Sequence, residues 1–168
     1  ARYSSKCIKD RQEFISFIKA TKNDTSGYNI TSPYKGIAYE VVDDIDKSAI
    51  KNGSVNCIKV LDNKLIGYNT DEYGFSAMLD LNMLKLDKKN ILILGYGKAA
   101  EIIVDYILKN TDWEITTLDR LDFSGNLNRL KEVVGSFPEK DKKRVNVVHH
   151  DLKAELNPEI ISTIGKVD

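Results

Sequence analysis

The chain has 168 residues, with 25 lysine and arginine side chains set against 25 aspartates and glutamates, so no global field draws it to nucleic acid or to an anionic membrane. At 42% apolar residues it can bury a core, as one ordinary domain or two small ones. No apolar run approaches the roughly 20 residues of a membrane helix, and the opening Ala1-Arg2-Tyr3-Ser4-Ser5-Lys6 lacks a signal-peptide core, so a cytoplasmic location is the expectation.

In chain order, Asp10 to Ala20 sets Phe14, Ile15, Phe17 and Ile18 at helical spacing behind charged residues and predicts an amphipathic helix. A loop at Asn23 to Gly27 leads to the short β-prone stretch Tyr28-Asn29-Ile30-Thr31, which Pro33 cuts off. Lys35 then falls just past a strand end. Ser48-Ala49-Ile50 suggests a turn of helix, and Val55 to Leu61 and Lys64 to Tyr68 read as two strands joined by a turn at Asp62-Asn63. From Thr70 the spacing of Phe75, Met78, Leu79, Leu81 and Met83 predicts a helix with Thr70 or Asp71 at its N-terminus, where an acidic side chain suits the helix dipole.

From Lys88 the pattern alternates strand and helix: Asn90 to Leu94, Ala99 to Leu108, Glu114 to Leu118, Leu127 to Gly135, Arg144 to Val148, and Ile160 to Ile164. Such alternation predicts a doubly wound parallel sheet. The run from Phe137 to Arg144 reads as a solvated turn, and His149-His150 as a solvated strand end. Cys7 and Cys57 are far apart and have no His or Cys at ligand spacing, which predicts free thiols and no metal site.

Three polar segments interrupt these elements and carry the candidate chemistry. Asn29-Ile30-Thr31-Ser32-Pro33-Tyr34-Lys35 and Gly67-Tyr68-Asn69-Thr70-Asp71 place a lysine and a carboxylate outside any apolar stripe. The third, Gly95-Tyr96-Gly97-Lys98-Ala99, lies between an apolar strand and a helix, the order in which a dinucleotide-binding βαβ unit opens. About two dozen residues after Gly95, Asp119-Arg120 closes the next strand.

Together with Gly53-Ser54-Val55-Asn56, these segments make the chain resemble the shikimate dehydrogenase family. Its substrate domain carries Asn-Val-Thr-x-Pro-x-Lys, Gly-Ala-Val-Asn and Gly-Tyr-Asn-Thr-Asp-Gly ahead of a Gly-x-Gly-x-Ala loop. The match runs from about Gly27 to Ala100. It implies a substrate domain with a mixed sheet over residues 1–85 and a Rossmann-type doubly wound parallel sheet over 86–168. It also implies reversible reduction of 3-dehydroshikimate to shikimate with NADP or NAD, a small-molecule substrate, and at most a second copy of the chain as partner in a homodimer.

The resemblance makes Lys35 and Asp71 a catalytic pair and sets Thr31 and Asn56, with Asn29 at even odds, against substrate hydroxyls. Gly95, Gly97, Lys98 and Ala99 would meet the cofactor pyrophosphate, Lys98 standing where the family commonly has glycine. Asp119, where NADP-preferring relatives have Asn, leans toward NAD, while Arg120 keeps NADP open. A quinate or aminoshikimate dehydrogenase is the rival within the class, and a non-catalytic binding module the rival outside it. The family's first βα unit with its serine pair is not recognised in residues 1–23, nor are its last segments beyond Asp168. A fragment, or a chain with further segments, is therefore expected, poorly active and aggregation-prone by itself.

Overall fold

The computed structural model describes residues 2–81, 87–120 and 127–168. It divides into two compact units, Ala1–Thr70 and Asp71–Asp168.

The first unit opens with helix α1 (Arg11–Thr21). Asp10 caps it, its side chain accepting from the Glu13 N–H at 2.8 Å, while the Glu13 carboxylate accepts from the Lys9 N–H at 2.8 Å, so two amides at the helix entrance are satisfied reciprocally. The bond from the Lys9 N–H and the Lys6 ammonium hold the Glu13 carboxyl below its ordinary range. The predicted stripe is buried through Phe14 and Ile18. Strands β1 (Gly27–Asn29), β2 (Asp44–Ile45), β3 (Cys57–Leu61) and β4 (Lys64–Tyr68) form a sheet in the order β1-β3-β4-β2. Its β1–β3 and β3–β4 pairings are antiparallel and its β2–β4 pairing is parallel. This is the expected mixed sheet.

The hairpin turn at Asp62-Asn63 has φ of 49° and 61°, the double left-handed geometry that matches the twist of tightly joined strands. Helices α2 (Lys35–Val41) and α3 (Lys47–Ile50) bury Ala38 and Ala49 in one core with Phe14, Ile18, Val55, Ile58 and Leu65. Gly67 is a close-approach position, since a Cβ there would meet Val55 Cγ2 at 2.6 Å and Val42 Cγ2 at 3.1 Å.

In the second unit, β5 (Asn90–Leu94), β6 (Glu114–Asp119) and β7 (Val145–His149) form a parallel sheet in that order. Helices α4 (Asp71–Leu81), α5 (Lys98–Asn110), α6 (Leu127–Gly135), α7 (Glu139–Lys142) and α8 (Pro158–Ile164) accompany it. Leu79 of α4 shares a core with Tyr96, Ala100, Val104, Ile107, Trp113, Ile115 and Leu130, so α4 belongs with the parallel sheet. The boundary expected at Lys85/Leu86, and Met83 of the predicted helix stripe, lie outside the described residues.

The stretch read as a solvated turn contains α7 and ends on an inward-turned arginine. Arg144 donates to the carbonyls of Leu108, Thr111 and Trp113 at 2.9, 2.8 and 3.2 Å and faces Asp141 at 3.3 Å. Its guanidinium thus satisfies carbonyls at the C-terminus of α5, where a cation also complements the helix dipole. Replacing Arg144 by Met is expected to cost about 2–3 kcal/mol, the worth of charge-assisted bonds to otherwise orphaned carbonyls. Denaturant unfolding measures it, and a loss no larger than that of an exposed-arginine control would refute this capping role.

Candidate functional site

At one edge of the mixed sheet, backbone bonds continue past the strand ends. The Ile30 N–H donates to the Asn56 carbonyl at 2.8 Å, and the Asn56 N–H to the Tyr68 carbonyl at 3.0 Å. The end of β1, the start of β3 and the end of β4 therefore share this edge. Beyond Asn29, Thr31 accepts the Tyr34 N–H at 3.0 Å in the turn that enters α2, and the Ser32–Pro33 peptide is cis. Lys35 is the first residue of α2, and its carbonyl accepts the Val55 N–H at 3.0 Å. That bond fixes the lysine backbone beside the residue preceding Asn56.

The Asn56 amide oxygen accepts from the Thr70 N–H at 3.0 Å, and the Asn56 amide nitrogen lies 3.2 Å from the Thr70 hydroxyl. Local bonding by Asn56 is thus realised. Asn29, Thr31 and Thr70 are exposed, Lys35 and Asn56 half-buried. The structure brings Asn29, Thr31, Lys35 and Asn56 to one sheet edge. Asp71 directly follows Thr70 in the chain, opens α4 in the second unit, and has Glu72 beside it in the helix's first turn.

Asn69 was not assigned a role from the sequence. It is buried, and its amide nitrogen donates to the Ser54 carbonyl at 3.0 Å and the Ser54 hydroxyl at 2.9 Å. Its N–H donates to the Ser48 hydroxyl at 3.2 Å. Ser48 is held in turn by Asp46, the cap of α3, at 2.9 Å, and the bonds from Ser48 hold the Asp46 carboxyl below its ordinary range. A signal was present: Leu65, Gly67 and Asn69 alternate inward with the period of β4. Tyr34 is a packing residue, as its context suggests, stacked on Phe14 with ring centroids 5.3 Å apart and bonded to the Ile8 carbonyl at 2.8 Å.

In the second unit, β5 ends in a glycine turn. Gly95 has φ of 85° and donates to the Leu118 carbonyl at 2.9 Å; the left-handed conformation suits a residue without Cβ. Gly97 caps α5, and among the described residues a Cβ on it would meet nothing within 4 Å. Open space thus lies at a helix N-terminus whose first amides have no intrahelical partner, an arrangement that fits a pyrophosphate. Ala99 follows in the first turn. Lys98 spends its charge locally, its ammonium 3.1 Å from the Glu101 carboxylate.

Asp119 closes β6, is 8% exposed, and accepts the Tyr96 N–H at 2.7 Å. One of its oxygens therefore already holds the glycine turn. Tyr96 is buried with a hydroxyl that meets no hydrogen-bond partner among the described residues, and burial followed by the charges of Glu101 and Asp105 pushes its pKa up. Arg120 faces Asp151 at 4.0 Å, and its carbonyl accepts from His149 Nε2 at 3.0 Å. His150 Nε2 likewise meets the Ala154 carbonyl, at 3.2 Å. Among the described residues there is no group of three or more His, Cys, Asp or Glu that could hold a metal ion, and no helix long and apolar enough to cross a membrane.

Residues 1–58 match the family model of the shikimate dehydrogenase substrate binding domain. The shikimate dehydrogenase (NADP(+)) of Clostridium beijerinckii is 42% identical over 96 residues, 57% of this chain and 35% of the relative. That of Methanococcus maripaludis is 32% identical over 131 residues, 78% of this chain and 44% of the relative. The crystal structure of shikimate dehydrogenase from Aquifex aeolicus is similar with a TM-score of 0.63 at 25% identity, over 83% of this chain and 48% of that one. The chain spans less than half the length of these relatives.

Asn69 and Asn56 separate in stability. Asn69→Ala is expected to cost about 1–3 kcal/mol, since it strands buried Ser54 groups, whereas Asn56→Ala, with water at hand, should cost less than about 1 kcal/mol. Equal losses in denaturant unfolding would show that Asn69 is not the buried anchor.

Proposed function

We propose that this chain, a relative of the shikimate dehydrogenases, supplies the substrate groups and the opening of the nucleotide site of an oxidoreductase that interconverts 3-dehydroshikimate and shikimate with NADP or NAD. The observation that carries this reading is the gathering of Thr31, Lys35 and Asn56 at one sheet edge through the Val55–Lys35, Ile30–Asn56 and Asn56–Tyr68 backbone bonds. A polyhydroxylated ring needs several short donors and acceptors held rigidly, and one titratable group at the reacting oxygen.

In this reading the ammonium of Lys35 gives its proton to the carbonyl oxygen as the ketone is reduced, and takes it back in the reverse direction. Asp71 orients Lys35 and accepts from a neighbouring ring hydroxyl. Their pairing rests on the motif: Asp71 comes directly after Thr70, whose N–H and hydroxyl are tied to Asn56. Thr31 and Asn56 bond ring hydroxyls, with Asn29 at the margin. The nicotinamide cofactor, when bound, supplies or takes the hydride. Gly95, Gly97 and Ala99 would admit its pyrophosphate to the start of α5, Asp119 would meet the adenosine ribose, and Arg120 would meet a 2′-phosphate. Lys98, paired with Glu101, is a secondary phosphate contact at most. We place the enzyme in the cytoplasm and its second copy, if any, in a homodimer.

The test is a spectrophotometric assay of shikimate and quinate oxidation with NAD and with NADP, on the protein that carries this chain. Oxidation of quinate alone would move the reading to the rival dehydrogenase, and oxidation of neither would move it to a binding module. Lys35→Ala is expected to lower turnover by about two to four orders of magnitude, the usual worth of a positioned acid or base; near-normal turnover would remove Lys35 from this role.

Cofactor choice gives a separate expectation. Asp119 repels a 2′-phosphate and favours ribose hydroxyls, so NAD should serve at least as well as NADP, and Asp119→Asn should shift preference toward NADP. The Asn variant keeps an acceptor for the Tyr96 N–H. A parent enzyme that binds NADP far more tightly than NAD would overturn the argument.

A further inference from the structure

Asp151 is assigned nothing by the motifs, yet it stands at the carboxyl end of the parallel sheet, facing Arg120, the arginine proposed above to meet a 2′-phosphate. Its position is fixed on two sides. One carboxylate oxygen accepts the Lys153 N–H at 2.9 Å, and its carbonyl accepts the Ala154 N–H at 2.8 Å. The other carboxylate oxygen lies 4.0 Å from Arg120 Nη1. Arg120 is anchored through its own backbone, since a bond to a carbonyl requires His149 Nε2 to carry hydrogen. Next to Arg120 in the chain, Asp119 is a second carboxylate, tied to the glycine turn.

We propose that Asp151 is a specificity-determining residue of the nucleotide site, set against adenosine ligands that carry a 2′-phosphate. This inference rests on the nucleotide-binding reading above. A 2′-phosphate brings about two negative charges at neutral pH. To use Arg120 it must draw the guanidinium from Asp151 and then lie beside an uncompensated carboxylate. A ribose with a 2′-hydroxyl makes no such demand. Both side chains of the pair are about half exposed, 50% for Arg120 and 46% for Asp151, so the effect is moderate and sensitive to salt.

The experiment titrates the protein that carries this chain and its Asp151→Asn variant with 5′-AMP and with adenosine 2′,5′-bisphosphate, two fragments that need only the adenosine half of the site. Asn keeps an acceptor for the Lys153 N–H, so the turn is retained, and thermal unfolding checks this. The variant is expected to bind the bisphosphate about two- to fivefold more tightly, the ordinary worth of one exposed ion pair, with 5′-AMP unchanged. The gain should shrink as salt rises and vanish when Arg120→Gln is added. An unchanged ratio of the two affinities, or a parallel change for both ligands, overturns the role of Asp151 and leaves the nucleotide site standing. Failure of the parent protein to bind either fragment overturns the nucleotide-binding reading and the inference with it.

Discussion

A strand that ends must hand its last amides to something, because a buried N–H without an acceptor costs as much as a lost hydrogen bond. Both units meet this demand in a way that places chemistry. In the first, the amides of Ile30, Val55 and Asn56 find the carbonyls of Asn56, Lys35 and Tyr68, and those three bonds bring the threonine, the lysine and the asparagine to one edge. In the second, the amides of Gly95 and Tyr96 find the Leu118 carbonyl and the Asp119 carboxylate. Satisfying the backbone and assembling the candidate sites are one event.

Support lies deeper than the residues that would touch a ligand. The line from Asp46 through Ser48 and Asn69 to Ser54 runs beneath the sheet edge, and each member is satisfied by the next. Its inner end is stiff, because Asn69 and Ser54 are buried and breaking their bonds strands a buried partner. Thr70 follows Asn69 directly and inherits that stiffness, which it passes to Asn56. The second unit has a comparable device in Tyr96, whose ring is sunk in the core while its amide holds Asp119. A residue flanked by two glycines is thereby pinned from both ends.

Elements with strong periodicity were legible. Strand β4, the helix from Leu127 and the capped helix after Asp10 lie where the alternation or the stripe puts them, because local pattern and tertiary burial agree there. Helix α2 is left open by the sequence, since Pro33 fits either a strand end or a helix start. Its run Lys35-Gly36-Ile37-Ala38-Tyr39-Glu40-Val41 carries a glycine, two β-branched residues and an aromatic, a weak helical sequence, and burial of Ala38 under the sheet decides its form. The site motifs could be read from spacing, but their hydrogen-bond partners could not. Asp119 and Tyr96 are 23 positions apart, and their bond exists only because two parallel strands set the register. Arg144 looked like part of a solvated charge run for the same reason: the carbonyls it serves belong to a helix more than 30 residues earlier.

The close approach at Gly67 bears on how this surface can change over evolutionary time. A methyl group at that position would collide with Val55 and crowd Val42, and both valines belong to or pack on the core that carries the lysine helix. A larger residue at position 67 therefore requires smaller neighbours. The three positions are sterically coupled, since a side chain at 67 needs room that only smaller residues at 55 and 42 would leave.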